Sequence, residues 1–351
     1  MRAVILVGPK PPPSGGVASH VDDLARLVRD RGVRAEKIGL ARGRAAALKL
    51  FVTLGRARLD RSGETLIHLH TNGHNPGSWR LAWMVGLATG GRGILTLHSG
   101  LAPDFVHRNS GSCRRAAIKF ACVVCVSQPI ADALAEAGVP RDRLLVAPAF
   151  SSEALPLPLP PAGLAAIARR SDPLVVAVLA RGPEYGATVL LEGFAGIAKA
   201  RPNAGLLLLG PGVRDLSVGA RVAALGLHGR VFRFGDLARA EALGAIAAAD
   251  LFVRPTLADG DAVSVREALA LGRRVIASDA APRPTGTYTF ATGHPESLAA
   301  AALAALDEPP PSVIAEEQLD PVLSVYESLW ESLWESAWGA RSSRALAWEV
   351  S

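Results

Sequence analysis

The chain is poor in the residues that mark several whole classes of protein. Its 3 cysteines in 351 residues, Cys113, Cys122 and Cys125, are too few and too clustered for a disulfide framework. No apolar run approaches the ~18–20 residues that a membrane helix needs. The start, Met1-Arg-Ala-Val-Ile-Leu-Val-Gly8, has too short an apolar core for a signal peptide and meets proline and glycine at once. These absences predict a cytoplasmic protein, with peripheral contact at the inner face of the cell membrane left open. Lysine is scarce beside arginine, a bias read as genomic (high G+C coding) rather than functional. The net charge of +6 is modest. It suits phosphorylated substrates or an anionic lipid surface, and no nucleic-acid partner is expected.

What is present is apolar sequence, 49% of the chain and enough for two sizeable cores. Short apolar runs alternate with helical patterns. Strands are expected at Arg2–Val7, Leu66–Leu69, Gly93–Leu97 and Val123–Val126, with helices over Val17–Arg31 and Pro129–Ala137. The proline-rich stretch beginning Leu155-Pro-Leu-Pro-Leu-Pro-Pro161 reads as a stiff linker over 155–173. The alternation then restarts, with strands at Leu174–Leu179, Leu206–Leu209, Val231–Phe234, Leu251–Val253 and Val275–Ala277, and a helix over Ala187–Ala200. Strands separated by helices imply parallel, doubly wound sheets. The expectation is an α/β protein of two Rossmann-like domains, 1–154 and 174–318, facing a central cleft. A helix over 319–340 packs back, and 341–351 is a tail. Cys122-Val-Val-Cys125 lies in an apolar run without a second cysteine pair, so it reads as core strand rather than a metal or redox site.

The densest chemistry lies in Arg254-Pro-Thr-Leu-Ala-Asp259-Gly260-Asp261-Ala262-Val263-Ser264-Val-Arg-Glu267. A buried strand passes through a small Asp/Gly loop into an alanine-leucine helix that stops at Gly272. The unpaired N–H groups of such a helix start suit an anionic phosphate. The bland alternative makes Asp259 an N-terminal cap and Glu267 a solvated helix residue. Asp259-Gly-Asp261 also spells D-x-D, a pair of carboxylates that could hold a divalent metal.

Taken with Gly15-Gly16 after the first strand, the Thr96-Leu97-His98 strand end and Arg181 after the restart, this loop resembles the retaining glycosyltransferases of family 4. Those proteins have the two-domain GT-B fold, and the likeness is to a polysaccharide-type branch. The resemblance implies transfer of a sugar from a nucleotide-sugar donor to an acceptor hydroxyl, without a cofactor or divalent metal. It implies that Asp259 and His98 meet the transferred sugar, that Arg181 meets the diphosphate and that Glu267 accepts from the ribose hydroxyls. Gly15, Gly16, Gly260, Asp261, Ala262, Val263 and Ser264 would line the donor. The family usually has a lysine where this chain has Tyr185 before Gly186, so Arg254 is a candidate replacement cation.

Other features are more open. His68-Leu-His70-Thr-Asn72-Gly-His74 crowds histidines near a strand end, with His68 and His70 on one side. Acceptor contact through His70, Asn72 and His74, ordinary packing and a metal role are the readings. His20, on the helix after the Gly15-Gly16 loop, reads as structural. Arg42, Arg44, Lys49, Arg56, Arg58 and Arg61 surround an apolar helix suited to anionic lipid or to plain packing. Arg108, Arg114, Arg115 and Lys119 form a similar basic run at the acceptor entrance. Trp330, Trp334 and Trp338 share one face of the terminal helix, for packing or for an interface. A saccharide or lipid-linked saccharide is the expected acceptor. A nucleotide-sugar epimerase and a non-catalytic binding subunit remain as rivals.

Overall fold

The computed structural model describes residues 2–9, 15–40, 44–59, 64–309, 311 and 322–331, the side chains of 44–47 and 57–59 excepted. The chain divides into two compact units. One runs to Ala154 and takes in the helical residues 322–331; the other runs on from Leu155 and takes in Gly15 and Gly16.

The first unit holds a six-stranded sheet of β1 (Ala3–Gly8), β2 (Arg34–Gly39), β3 (Thr65–Thr71), β4 (Ile94–Leu97), β5 (Cys122–Cys125) and β6 (Leu144–Val146). The order is β2-β1-β3-β4-β5-β6, with every pairing parallel. Each residue of β1 is buried, as a central parallel strand covered on both faces requires. The helix Gly16–Asp30 lays Val21, Leu24, Ala25 and Val28 against Val4 and Leu6. Cys122-x-x-Cys125 is β5, and burial pushes the Cys122 thiol up to about 11 and the Cys125 thiol to about 12. Such thiols are poor nucleophiles and poor ligands.

The helical residues 322–331 close this core. Tyr326 and Trp330 are buried among Val4, Val21 and Leu66. Trp330 donates from Nε1 to the Glu64 carbonyl at 3.0 Å, and the Arg2 guanidinium lies 5.2 Å from the ring centre. Trp334, Trp338, Arg42 and Arg61 lie outside the described residues.

The second unit holds β7 (Leu174–Val178), β8 (Gly205–Leu209), β9 (Val231–Gly235), β10 (Leu251–Arg254), β11 (Arg274–Ser278) and β12 (Thr287–Phe290), all parallel, in the order β12-β11-β10-β7-β8-β9. The stretch 155–173 is tied to this unit at two places, while Leu157 and Leu159 stay exposed. Leu159 donates its N–H to the Ala240 carbonyl at 2.8 Å. Leu164 and Ile167, on the helix Leu164–Ala168, pack with Phe252 and Leu269. Among the described residues no helix is long and apolar enough to cross a membrane.

Trp330→Ala removes a buried aromatic and one hydrogen bond from the first unit. The expected cost is about 3–5 kcal/mol, measured by urea denaturation; a loss below about 1 kcal/mol would show that 322–331 is dispensable to this core.

Candidate functional site

Each sheet reverses its winding once. In the second unit the chain proceeds from β7 to β8 and β9 on one side, then crosses to β10 on the other. Loops leaving adjacent strands at such a point diverge and open a crevice at the carboxyl ends. The two loops here are Arg181–Gly186, after β7, and Pro255–Ala262, after β10. They are tied together where Leu257 donates its N–H to the Glu184 carbonyl at 2.7 Å. Gly186, at φ +67, sits so close to Pro255 that a Cβ would lie 1.8 Å from its carbonyl oxygen.

Asp259 is the hub of the second loop. Its carboxylate accepts from Arg254 Nε at 2.9 Å and Nη2 at 3.0 Å, from Thr256 Oγ1 at 2.9 Å, from the Gly260 N–H at 3.2 Å and from Arg283 Nη1 at 2.9 Å. Arg283 also donates from Nε to the Ser278 carbonyl at 2.8 Å, and Ser278 Oγ donates to the Thr256 carbonyl at 2.5 Å. Burial alone would push the Asp259 carboxyl up. The Arg254 guanidinium, followed by Arg283, overcomes this and holds it well below the usual carboxylate range. Two guanidiniums against one carboxylate leave a buried excess of positive charge at the carboxyl end of β10. The Arg254 guanidinium also lies 5.5 Å from the Tyr185 ring centre, so the tyrosine in the expected lysine position lies against a cation supplied by β10.

Neither bland reading of the acids fits this geometry. The cap of the helix Val263–Ala270 is Ala262, not Asp259, and Glu267 is buried. Glu267 Oε1 accepts from Arg239 Nε at 2.9 Å, and Asp261 Oδ1 accepts from Arg266 Nε at 2.6 Å. Both carboxylates of the D-x-D sequence thus face arginines, which compete with any cation. Gly260, Ala262 and Val263 are buried and Ser264 is half-exposed at the helix start. Arg181 is exposed. The contacts of Arg239, Arg266 and Arg283 were not foreseen by motif reading. Their ion pairs form only once three loops meet.

In the first unit the reversal lies between β1 and β3. His68 and His70 project from β3 on the same side, with ring centres 4.0 Å apart. His68 is held between Tyr326 Oη at 2.5 Å from Nδ1 and Thr96 Oγ1 at 2.6 Å from Nε2. His70 Nδ1 lies 3.2 Å from His98 Nε2. His20, from the helix after β1, is buried with its ring centre 5.3 Å from that of His70 and 5.4 Å from that of His98. Burial foremost, and the neighbouring imidazoles after it, keep His68, His70 and His98 well below the usual histidine value. All three are therefore neutral at physiological pH. Asn72 is exposed, His74 half-buried, and Gly15 and Gly16 exposed at the helix start. The structure thus joins His70 to His98 and to the unexpected His20, while Asn72 and His74 lie on the following turn.

The sequence profile of the family described as Glycosyl transferases group 1 matches residues 172–308. A search of the curated proteins gives no match. Among solved structures the chain is similar to Anabaena HepE in complex with UDP-glucose, at 17% identity and a TM-score of 0.68, covering 98% of this chain and 100% of that one. It is similar to sucrose-phosphate synthase from Thermosynechococcus elongatus, at 17% identity and a TM-score of 0.62, covering 100% of each chain. A putative UDP-N-acetylglucosamine 2-epimerase from Listeria monocytogenes matches at 16% identity and a TM-score of 0.56, over 87% of this chain and 88% of that one. The shared fold is GT-B.

Asp259→Asn leaves two buried guanidiniums short of their counter-charge, and the expected cost near neutral pH is about 3–5 kcal/mol. The carboxyl is depressed in the folded state, so its stabilisation is full above the unfolded value of about 3.9. It is lost as pH falls below that toward the folded value. Denaturation midpoints of the wild type and the variant should therefore converge on acidification; a constant gap from pH 7 down to pH 3 would refute the assignment.

Proposed function

We propose that the chain is a glycosyltransferase that moves a sugar from a nucleotide-sugar donor to an acceptor hydroxyl with retention, without a divalent metal. The observation that carries this reading is the buried excess of guanidinium charge at the winding reversal of the second unit, beside the start of the helix Val263–Ala270. A departing nucleoside diphosphate needs fixed positive charge and N–H donors where its own charge develops. Arg254, pinned by Asp259 and stacked near Tyr185, supplies the cation that a lysine would otherwise bring. Arg181, exposed on the neighbouring loop, adds a second. The profile match over the second unit and the UDP-glucose held by the HepE structure support the choice of donor.

Asp259 was expected to accept from hydroxyls of the sugar. Its oxygens already take five hydrogen bonds, more than a carboxylate's ~4 lone-pair positions accommodate singly. Its first task is therefore to orient Arg254, and a sugar hydroxyl is met by exchange of one of these bonds. Glu267 is assigned to the ribose, His98 to the sugar and the loop Asn72–His74 to the acceptor. In the reaction the bond from the anomeric carbon to the diphosphate breaks while the acceptor oxygen bonds on the same face. The acceptor proton passes to the departing phosphate, so no protein base is required.

The acceptor belongs to polysaccharide or cell-envelope glycan assembly, as a saccharide or its lipid-linked form. Leu48, Phe51 and Val52 on the helix Arg44–Leu59, with Trp83, Met84 and Leu87 on the helix Pro76–Thr89, are exposed apolar side chains. Lys49 and Arg56 flank them, which suits an anionic membrane surface. A nucleotide-sugar epimerase is the second reading, supported by the fold shared with the Listeria protein.

Incubation with a panel of nucleotide sugars, with and without lipid extract and chelator, should release nucleoside diphosphate only when acceptor is present and regardless of chelator. Donor conversion without acceptor would establish the epimerase, and binding without turnover a non-catalytic subunit. Arg254→Gln should lower kcat about 10²–10³-fold; unchanged turnover in a folded variant would sink the leaving-group role. Phe51→Glu should abolish sedimentation with anionic vesicles while leaving turnover on a soluble acceptor intact, and undiminished sedimentation would remove the lipid-facing assignment.

A further inference from the structure

We infer that His20, His70 and His98 form a three-imidazole site for a divalent transition ion of the zinc type. The nitrogens that the three rings offer lie within 4.8 Å of one another. Their ring centres form a nearly equilateral triangle with sides of 5.3, 5.4 and 5.5 Å. Imidazoles bound tetrahedrally at a metal–nitrogen distance of about 2.0–2.1 Å place their nitrogens about 3.3 Å apart and their ring centres about 5.2 Å apart. The His70 Nδ1 to His98 Nε2 separation of 3.2 Å matches the first spacing, and the triangle matches the second. The rings need only a small inward shift to meet one ion.

Three elements deliver the rings to one place. His20 comes from the helix after β1, His70 from β3, and His98 from the turn after β4. β1 and β3 flank the winding reversal of the first sheet, where a crevice opens at the strand ends. Gly8 ends β1, and a Cβ there would stand 3.3 Å from that of His70, so glycine leaves the histidines room. Burial holds the His70 and His98 rings below the usual histidine value, and the neutral imidazole is the form that binds metal. His68 stacks on His70 and is itself fixed by Tyr326 and Thr96, which orients the ligand ring from behind. His98 is half-buried, so the fourth position opens toward solvent for a water or a substrate oxygen. All-nitrogen donors select zinc, cobalt, nickel or copper over magnesium or calcium.

The effect on turnover rests on the reading proposed above. Where His98 meets the donor sugar, a loaded site takes that ring away and the ion inhibits, in agreement with chelator-independent transfer. Binding is measured apart from turnover, so failure of either leaves the other interpretable.

Cobalt(II) titrated into the full-length chain should bind at one equivalent and give the intense visible absorption of a four-coordinate ion without a thiolate charge-transfer band. Zinc(II) should displace it. His98→Gln and His20→Gln should each weaken binding more than about 100-fold, beyond the 10–100-fold that loss of an outer-shell partner costs. His107→Gln, at an exposed histidine paired with Glu136, and the double change Cys122→Ser, Cys125→Ser should leave it unchanged. His98 is half-buried, and near-UV circular dichroism checks the fold of its variant. Absence of a saturable site, a weak six-coordinate spectrum, binding that follows the cysteines, or binding undiminished in His98→Gln would overturn the site.

Discussion

One carboxylate between two guanidiniums organises the second unit's candidate site. Asp259 draws Arg254 from the end of β10 and Arg283 from beyond β11 onto a single point, and Thr256 and Ser278 stitch the strand ends together around it. Buried charges of this kind tolerate little displacement, because a lost partner leaves an ion in a poorly solvating interior. The loop is thus held rigid by electrostatics where its glycine and small side chains alone would leave it loose. Preorganised charge of that sort costs nothing to align when a ligand's own charge appears.

The parts of the fold legible in the sequence were those that the interior dictates. Central strands such as β1, β8 and β10 are continuous apolar runs because both faces are covered. The strands not anticipated, β2, β6 and β12, all lie at sheet edges. β2 carries Arg34, Glu36 and Lys37, and β6 has only 3 residues. An edge is solvated and often charged or short, which erases the apolar signal. The stretch after Ala154 carries two signals at once. Proline gives it the look of a spacer, yet Leu164 and Ile167 beyond the prolines enter a core.

The site was legible as a set of residue types and less so as a set of contacts. The loop, its acids and Arg254 could be named from the sequence. That every acid would face an arginine could not, because Arg239 and Arg283 arrive from other elements. The histidines show the same limit. His68 and His70 share a side by strand alternation alone, whereas the convergence of His20 and His98 on His70 depends on which strands are neighbours. Local pattern predicts direction; topology decides who meets.

The bond between Tyr326 and His68 spans 258 residues of chain. Everything that builds the second sheet lies between its two ends. A ribosome therefore releases the whole of the second unit before the residues that complete the first unit's core emerge. The second unit, continuous apart from a short segment ending at Gly16, has its sheet complete by then, while the earlier-made half waits with Val4, Val21 and Leu66 short of their aromatic cover. Order of synthesis and order of completion are reversed, and in the interval between them apolar surface that would favour aggregation is uncovered.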